Sequence, residues 1–283
     1  RARTPAGPDV GEGWAGLSVG HVVTRTVRDS AAFLDATHGP APGDPYAAPP
    51  PARPFLEAVS RRPEALRIAY SFDSGSGVEV HPDCRAAVEK TVRLLDSLGH
   101  RVVEAAPPID FEELEGHMTA IVAAQTRQAL DLGHPLTGAP VAEESVEPLT
   151  WAIAELGREV TAGRYIGAVN GVHRFGRRMA AFLSDHDLYL CPTLAKPPVP
   201  LGYLDTETTD ARGFIDKLRA YMPFTQIANM TGQPAASLPL HWNDAGLPIG
   251  VQLLAPYGDE AGLLGLAAQL EEAAPWAGKR PPL

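Results

Sequence analysis

Residues 223–260, PFTQIANMTGQPAASLPLHWNDAGLPIGVQLLAPYGDE, decide the fold. Residues 222–230 carry an apolar face closed by Thr231-Gly232, and a glycine just past the last turn is the usual stop of a helix. Residues 235–240 and 249–254 are brief apolar runs bounded by proline and glycine, the pattern of strands buried on both faces. Between them, residues 241–248 hold turn chemistry centred on Asp244-Ala245-Gly246. Strands joined this tightly are expected to be antiparallel neighbours inside a large sheet.

Outward from that stretch the chain alternates strands and helices. Residues 260–272 read as a last helix with Leu263, Leu264, Ala267 and Leu270 inward, and residues 212–220 as a helix before the opening stretch. Residues 188–191 form a buried strand ending at Pro192-Thr193, and residues 195–209 a proline-rich loop. Nearer the start, Thr26 to Asp29 has the spacing of a capping box, with Asp in place of Glu. It precedes a helix over 27–37 with Ala32, Phe33 and Ala36 as its apolar face. Residues 39–54, GPAPGDPYAAPPPARP, are too rich in proline and glycine for a helix or central strand and read as a connecting arm. A short helix over 55–61 and a strand over 66–70 follow. The helix over 82–98 is strongly amphipathic, with Cys84, Val88, Val92, Leu95 and Leu98 on one face. A strand over 101–105 completes a strand–helix–strand unit, which implies parallel strands. Residues 110–132 and 148–184 are long helical regions, the second broken near Gly163 or Gly167. The class is α/β, a mixed sheet covered by helices on both sides, in a single domain over residues 1–283.

Composition excludes several functions. The chain has 283 residues, 45% hydrophobic and 20% charged, as in ordinary globular proteins. A formal charge of −10 argues against nucleic acid and anionic membrane, which need clustered Lys and Arg. Cys84 and Cys191 are the only cysteines and imply no disulfide framework. No apolar run approaches a membrane span, and the start does not read as a signal peptide, so the expected compartment is the cytoplasm.

Several motifs stand in one order: Arg3-Thr-Pro5, residues 20–29 (GHVVTRTVRD), residues 187–193 (DLYLCPT), residues 229–234 (NMTGQP), Ser237-Leu-Pro239, residues 246–252 (GLPIGVQ) and Asp259-Glu260. Together they resemble the C-terminal part of the amidase signature family, across residues 1 to about 274. The resemblance implies a serine amidohydrolase that uses a Ser, cis-Ser, Lys triad and no cofactor, with a small-molecule amide as its partner and a homodimer as its assembly. It implies that the helices over 110–185 cover the substrate pocket. The family's Lys and its Gly-Gly-Ser-Ser-Gly-type signature precede the point matched by Arg1. The expectation is therefore an amidase fragment whose triad lies outside the chain, inactive alone, with no catalytic residue to assign. Two other readings stand beside it: a non-catalytic scaffold with half the fold, and a fragment of a tRNA amidotransferase subunit. Residues 3–8 (RTPAGP) further resemble the branch of cyclic-oligoamide hydrolases.

Site candidates within the chain are few. Thr193 follows a buried strand, where residues often face a ligand crevice; it either binds substrate or satisfies local backbone. Asn229, near a helix end, and Gln252, an amide in an apolar strand, must be hydrogen-bonded if buried. Both are read as structural support of the site. Residues 74–77 (SGSG) mimic a nucleophile loop but have no lysine nearby in sequence and are read as a flexible strand–helix loop. No Cys or His pair has metal-ligand spacing, and residues 112–115 (EELE) are read as a solvated helix start.

Overall fold

A computed structural model describes residues 1–134 and 136–282. Its sheet is built from β1 (Arg67–Tyr70), β2 (Arg101–Glu104), β3 (Leu188–Pro192), β4 (Ala235–Trp242) and β5 (Pro248–Leu254), in the order β2-β1-β3-β5-β4. β1 pairs parallel with β2 and β3, whereas β5 pairs antiparallel with β3 and β4. The helices are α1 (Val27–Thr37), α2 (Phe55–Ala58), α3 (Pro82–Ser97), α4 (Phe111–Asp131), α5 (Pro148–Gly157), α6 (Ala162–Phe182), α7 (Ala211–Tyr221), α8 (Thr225–Thr231) and α9 (Glu260–Ala273).

The decisive stretch folds as its residues predict, with one correction. α8 ends where Gly232 takes φ 81°, a left-handed conformation that costs other residues a steric penalty. β4 and β5 are antiparallel, with Leu238 opposite Val251. β4, however, is not buried on both faces. It is one of the two edge strands of the sheet among the described residues, and most of its positions are half-exposed or exposed. Its register slips between Leu238 and His241, around Pro239, which has no N–H to give to a ladder.

α1 starts at Thr26, whose hydroxyl accepts from the Asp29 N–H at 3.0 Å, as the spacing predicts. Its buried face is Val27, Ala31 and Leu34, while Phe33 lies half in solvent. The expected face of Ala32, Phe33 and Ala36 is thus wrong, because α1 meets α2 and α9 with its other side. The break in the second helical region falls at residues 158–161, before either glycine. Thr161 starts α6 by accepting from the Arg164 N–H at 3.2 Å.

Two apolar clusters result. The larger joins α1, α3 and α9 to the sheet through Ile68, Val88, Leu190, Leu253 and Leu266. The smaller lies among α4, α6 and Leu17, through Leu114, Ile121, Val172 and Phe175. Because β1, β2 and β3 are parallel, their C-terminal ends share one side of the sheet, and the loops that follow them meet there. No helix among the described residues is long and apolar enough to cross a membrane.

Candidate functional site

Thr193 follows β3, and its N–H donates to the Gly250 carbonyl at 3.2 Å. Its hydroxyl shares a 2.7 Å hydrogen bond with Ser237 Oγ across β5. Gly250 makes that pair possible. A Cβ there would stand 2.8 Å from Thr193 Oγ1 and 2.8 Å from Ser237 Oγ, closer than real contacts allow. Ser237 and Gly250 line an open groove of about 670 Å³, walled by Leu264 and Ala267 of α9 and by residues 21–27. Across the groove His21 Nε2 meets Ser30 Oγ at 3.0 Å. Burial lowers the His21 pKa below its ordinary value, which favours the neutral imidazole. Ser237 opens the Ser237-Leu-Pro239 motif, and its pairing with Thr193 spans three strands and leaves no local signal.

Gln252 is buried on β5. Its Nε2 donates to the Phe224 carbonyl at 3.3 Å and points at Cys191 Sγ, 3.5 Å away. It therefore ties the entry of α8 to the sheet. Cys191 is fully buried, and burial pushes its thiol pKa up to about 12. Asn229 Nδ2 donates to the Leu17 carbonyl at 2.8 Å, fastening α8 to the N-terminal segment. The Arg1 guanidinium reaches the carbonyls of Asn229 and Met230 at the same helix end, both at 3.3 Å. A cation there meets the negative end of the helix dipole.

The first and last motifs come together in a buried ion pair. Arg3 Nη2 donates to Glu260 Oε2 at 2.6 Å and to the Gly258 carbonyl at 3.3 Å, while Nη1 donates to the Pro49 carbonyl at 2.7 Å. One guanidinium thus holds the N-terminal arm, the proline-rich segment and the start of α9.

The Ser74 loop follows β1 and is pinned by local hydrogen bonds. Ser74 is buried, its Oγ lies 2.6 Å from Ser76 Oγ, and the Gly75 N–H donates to Asp73 Oδ1 at 2.7 Å. Among the described residues no lysine bonds to either serine; Lys90 reaches His241 and Lys196 reaches Tyr203. The helix start at residues 112–115 is less solvated than expected. Glu113 takes Arg174 at 3.3 Å and Arg178 at 3.1 Å. Burial alone would raise its carboxyl pKa, but the bonds from Arg178 and Arg174, with the His117 ring 3.5 Å away, outweigh that and hold it low. Glu115 pairs with Arg219 at 3.4 Å, and Arg219 also donates to the Ser76 carbonyl at 3.3 Å. Burial raises the Glu115 carboxyl pKa; Arg219 opposes this, while Asp216 and Glu112 add to it. Among the described residues no group of His, Cys, Asp and Glu is arranged to hold a metal.

A family model described as Amidase matches residues 7–264. The chain belongs to the amidase family. This amidase chain is 33% identical over 294 aligned residues to the 6-aminohexanoate-cyclic-dimer hydrolase of Paenarthrobacter ureafaciens, a match covering all of the chain and 59% of the relative. It superposes on a solved 6-aminohexanoate cyclic dimer hydrolase bound to substrate with a TM-score of 0.82 at 31% identity, over 91% of this chain and 55% of that one. A bacterial aryl acylamidase of the amidase signature family shares the fold, with a TM-score of 0.75 at 22% identity over 100% of this chain and 59% of its own. The amidase chain therefore spans under two thirds of the length of the relatives it matches.

Proposed function

We propose that these residues form the C-terminal part of a serine amidase that hydrolyses a small-molecule carboxylic amide, and that its Ser, cis-Ser and Lys lie outside residues 1–283. The observation that carries this reading is the coverage. The whole chain aligns, yet it accounts for only 59% of the relative's length. The open edge of β4 supports it. One side of this strand pairs with β5, and beside it lies an apolar groove that further sheet could cover. In an amide hydrolysis of this type the Lys takes a proton from the cis-Ser, the cis-Ser activates the nucleophilic Ser, and an acyl-enzyme forms. Residues 1–283 supply the frame. Gln252 and Asn229 hold both ends of α8, and Thr193 with Ser237 places a hydroxyl pair beside the open strand. Among amides, the cyclic dimer named for the relatives is the first substrate to assay.

The test is to sequence the gene upstream of the Arg1 codon, then assay the encoded protein and residues 1–283 side by side on that cyclic dimer. The proposal expects an in-frame extension with a Lys and a Gly-Ser-rich signature, turnover by the encoded protein and none by residues 1–283. Turnover by residues 1–283 alone, or a stop codon directly upstream of a start at Arg1, would overturn it.

A further inference from the structure

The turn that joins β4 to β5 is tied to α3 by two side-chain bonds. Asn243 Nδ2 donates to Asp83 Oδ2 at 2.9 Å, and Lys90 Nζ lies 3.2 Å from His241 Nδ1. His241 stands opposite Ile249 at the point where the β4 register slips, so the ladder grips the strand less firmly there. Asn243 also closes the turn itself, its Oδ1 accepting from the Leu247 N–H at 2.9 Å. Residues 276–282 meet the same turn. Lys279 Nζ stands 5.9 Å from the centre of the Trp242 ring, and a Cβ on Gly246 would come within 3.1 Å of Pro282. Trp276 Nε1 donates to the Arg25 carbonyl at 3.0 Å, and Arg25 Nη2 donates to the Ala277 carbonyl at 2.9 Å, which fastens this segment. Trp242, Trp276, Lys279 and Pro281 line the groove beside β4.

The Lys90–His241 bond carries a protonation state with it. An ammonium has donors and no acceptor, so the Nδ1 that faces it must be the accepting, unprotonated nitrogen. Once that nitrogen takes a proton, the bond cannot form. The imidazolium then stands near Lys90 of α3 and Lys279, with Asp83 of α3 and Asp244 of the turn opposing them, and Asp83 is already bonded to Asn243. Burial first and Lys90 next lower the His241 pKa below its ordinary 6.5; Lys279 adds to this, while Asp83 and Asp244 work against it. His21, which also lines the groove, differs. Its Nε2 meets the Ser30 hydroxyl, which can donate or accept and so keeps the bond in either state.

We propose that His241 is a pH-sensitive latch on the open edge of the sheet. With a neutral imidazole it holds the β4–β5 turn against α3. Protonated, it lets go of Lys90 and frees the turn, together with the wall that Trp242 and Lys279 give the groove. The opened turn binds the proton more tightly than the closed one. The latch is therefore fully engaged above about pH 6.5 and is lost as pH falls below it. It acts through one hydrogen bond and the charges around the turn, and it is independent of amide hydrolysis.

Hydrogen exchange of the protein as its gene encodes it, compared at about pH 7.5 and about pH 5.5 and corrected for intrinsic rates, tests this. Protection of residues 241–247 and 276–281 is expected to fall about threefold or more at the lower pH, while that of β3 stays level. His241→Asn puts an amide oxygen where Nδ1 stands, an acceptor for Lys90 that does not titrate, and is expected to keep the turn protected at both values. Lys90→Met keeps the aliphatic stem and removes the ammonium, and is expected to leave the turn weakly protected even at the higher pH. Unchanged protection in the unmodified protein, or a fall of the same size in either variant, would overturn the assignment.

Discussion

The sheet side and the helical side of this molecule are built by different means. Around the sheet, large aliphatic side chains interlock, and Arg3, Glu260 and Gln252 bond across elements, while Arg3 Nε and Tyr189 Oη are buried without a partner among the described residues. On the helical side, α4 and α6 share a smaller apolar cluster around Leu114, Ile121, Val172 and Phe175, α5 comes close to α4 at Gly157, ion pairs form at Glu113 and Glu115, and a cavity of about 730 Å³ lies between the helices. Dense apolar packing ties stability to every side chain. Helices held by close backbone approach and surface charge can exchange cavity-lining residues at small cost. The comparison teaches that ligand recognition can vary on the helical side while the frame stays fixed.

The sharpest way to break that contrast is at Arg3. Removing one partner of a buried pair leaves the other charge unmatched, so Arg3→Ala should cost about 3–5 kcal/mol, read from urea unfolding. The Arg62–Glu272 pair, with both side chains more than two-thirds exposed, is the control. Arg62→Ala should cost under about 1 kcal/mol. Equal effects would mean that Arg3 is not an anchor.

Close approach on the helical side is tested by two glycines. A Cβ on Gly157 would lie 2.2 Å from the Ala123 carbonyl oxygen, so Gly157→Ala must push α5 off α4. A loss of about 1–3 kcal/mol is expected. Gly167, inside α6, has nothing within 4 Å of such a Cβ. There Gly→Ala should stabilise by up to about 1 kcal/mol through helix propensity. Thermal melts of the two variants should move in opposite directions; movement together would show that α4 and α5 are not in tight contact.

Much of the sheet side was legible because its signals are local. Gly232 stops α8 at the residue where only glycine is comfortable, and the turn at residues 243–246 joins the two strands that flank it. Cys84, Val88 and Leu95 lie inward at helical spacing as read. What the residues hid depends on distant partners. Pro239 inside β4 is the one local sign that the strand stands at an edge, and the apolar run around it masks that sign. Residues 27, 31 and 34 repeat as well as 32, 33 and 36, and only the position of α9 chooses between them. Arg3 and Glu260 are 257 positions apart, and both were visible only as motif members. Thr193 was found from its strand end, whereas Ser237 needed three dimensions.

Titration separates the two sides again. Burial pushes the Cys84 and Cys191 thiols up to about 12 from an ordinary 9.0, and both belong to the cluster around the sheet. A thiol whose folded pKa is raised keeps its proton in the folded state while the unfolded chain loses it. The stability it contributes is present below about pH 9 and is lost as pH rises towards 12. Urea midpoints should fall from about pH 8 to about pH 10.5, and the fall should shrink in the Cys84→Ala, Cys191→Ala double variant. An undiminished fall would assign the effect to other groups, such as Tyr189, whose phenol burial also raises.

The smallest effect is expected at Thr193, and it tests where sheet and site meet. Its hydroxyl bonds Ser237 Oγ at an exposed position, so Thr193→Val should change stability by less than about 1 kcal/mol. Gln252→Leu is the matched variant in the interior. It leaves the Phe224 carbonyl without its side-chain donor and should cost about 1–3 kcal/mol. In the protein as its gene encodes it, Thr193→Val should lower kcat/KM for an amide substrate with the melt unchanged. Gln252→Leu should lower the melting temperature first. If Thr193→Val leaves kcat/KM untouched, its hydroxyl only closes a pair with Ser237, and the contact surface for substrate must then come from the helical side.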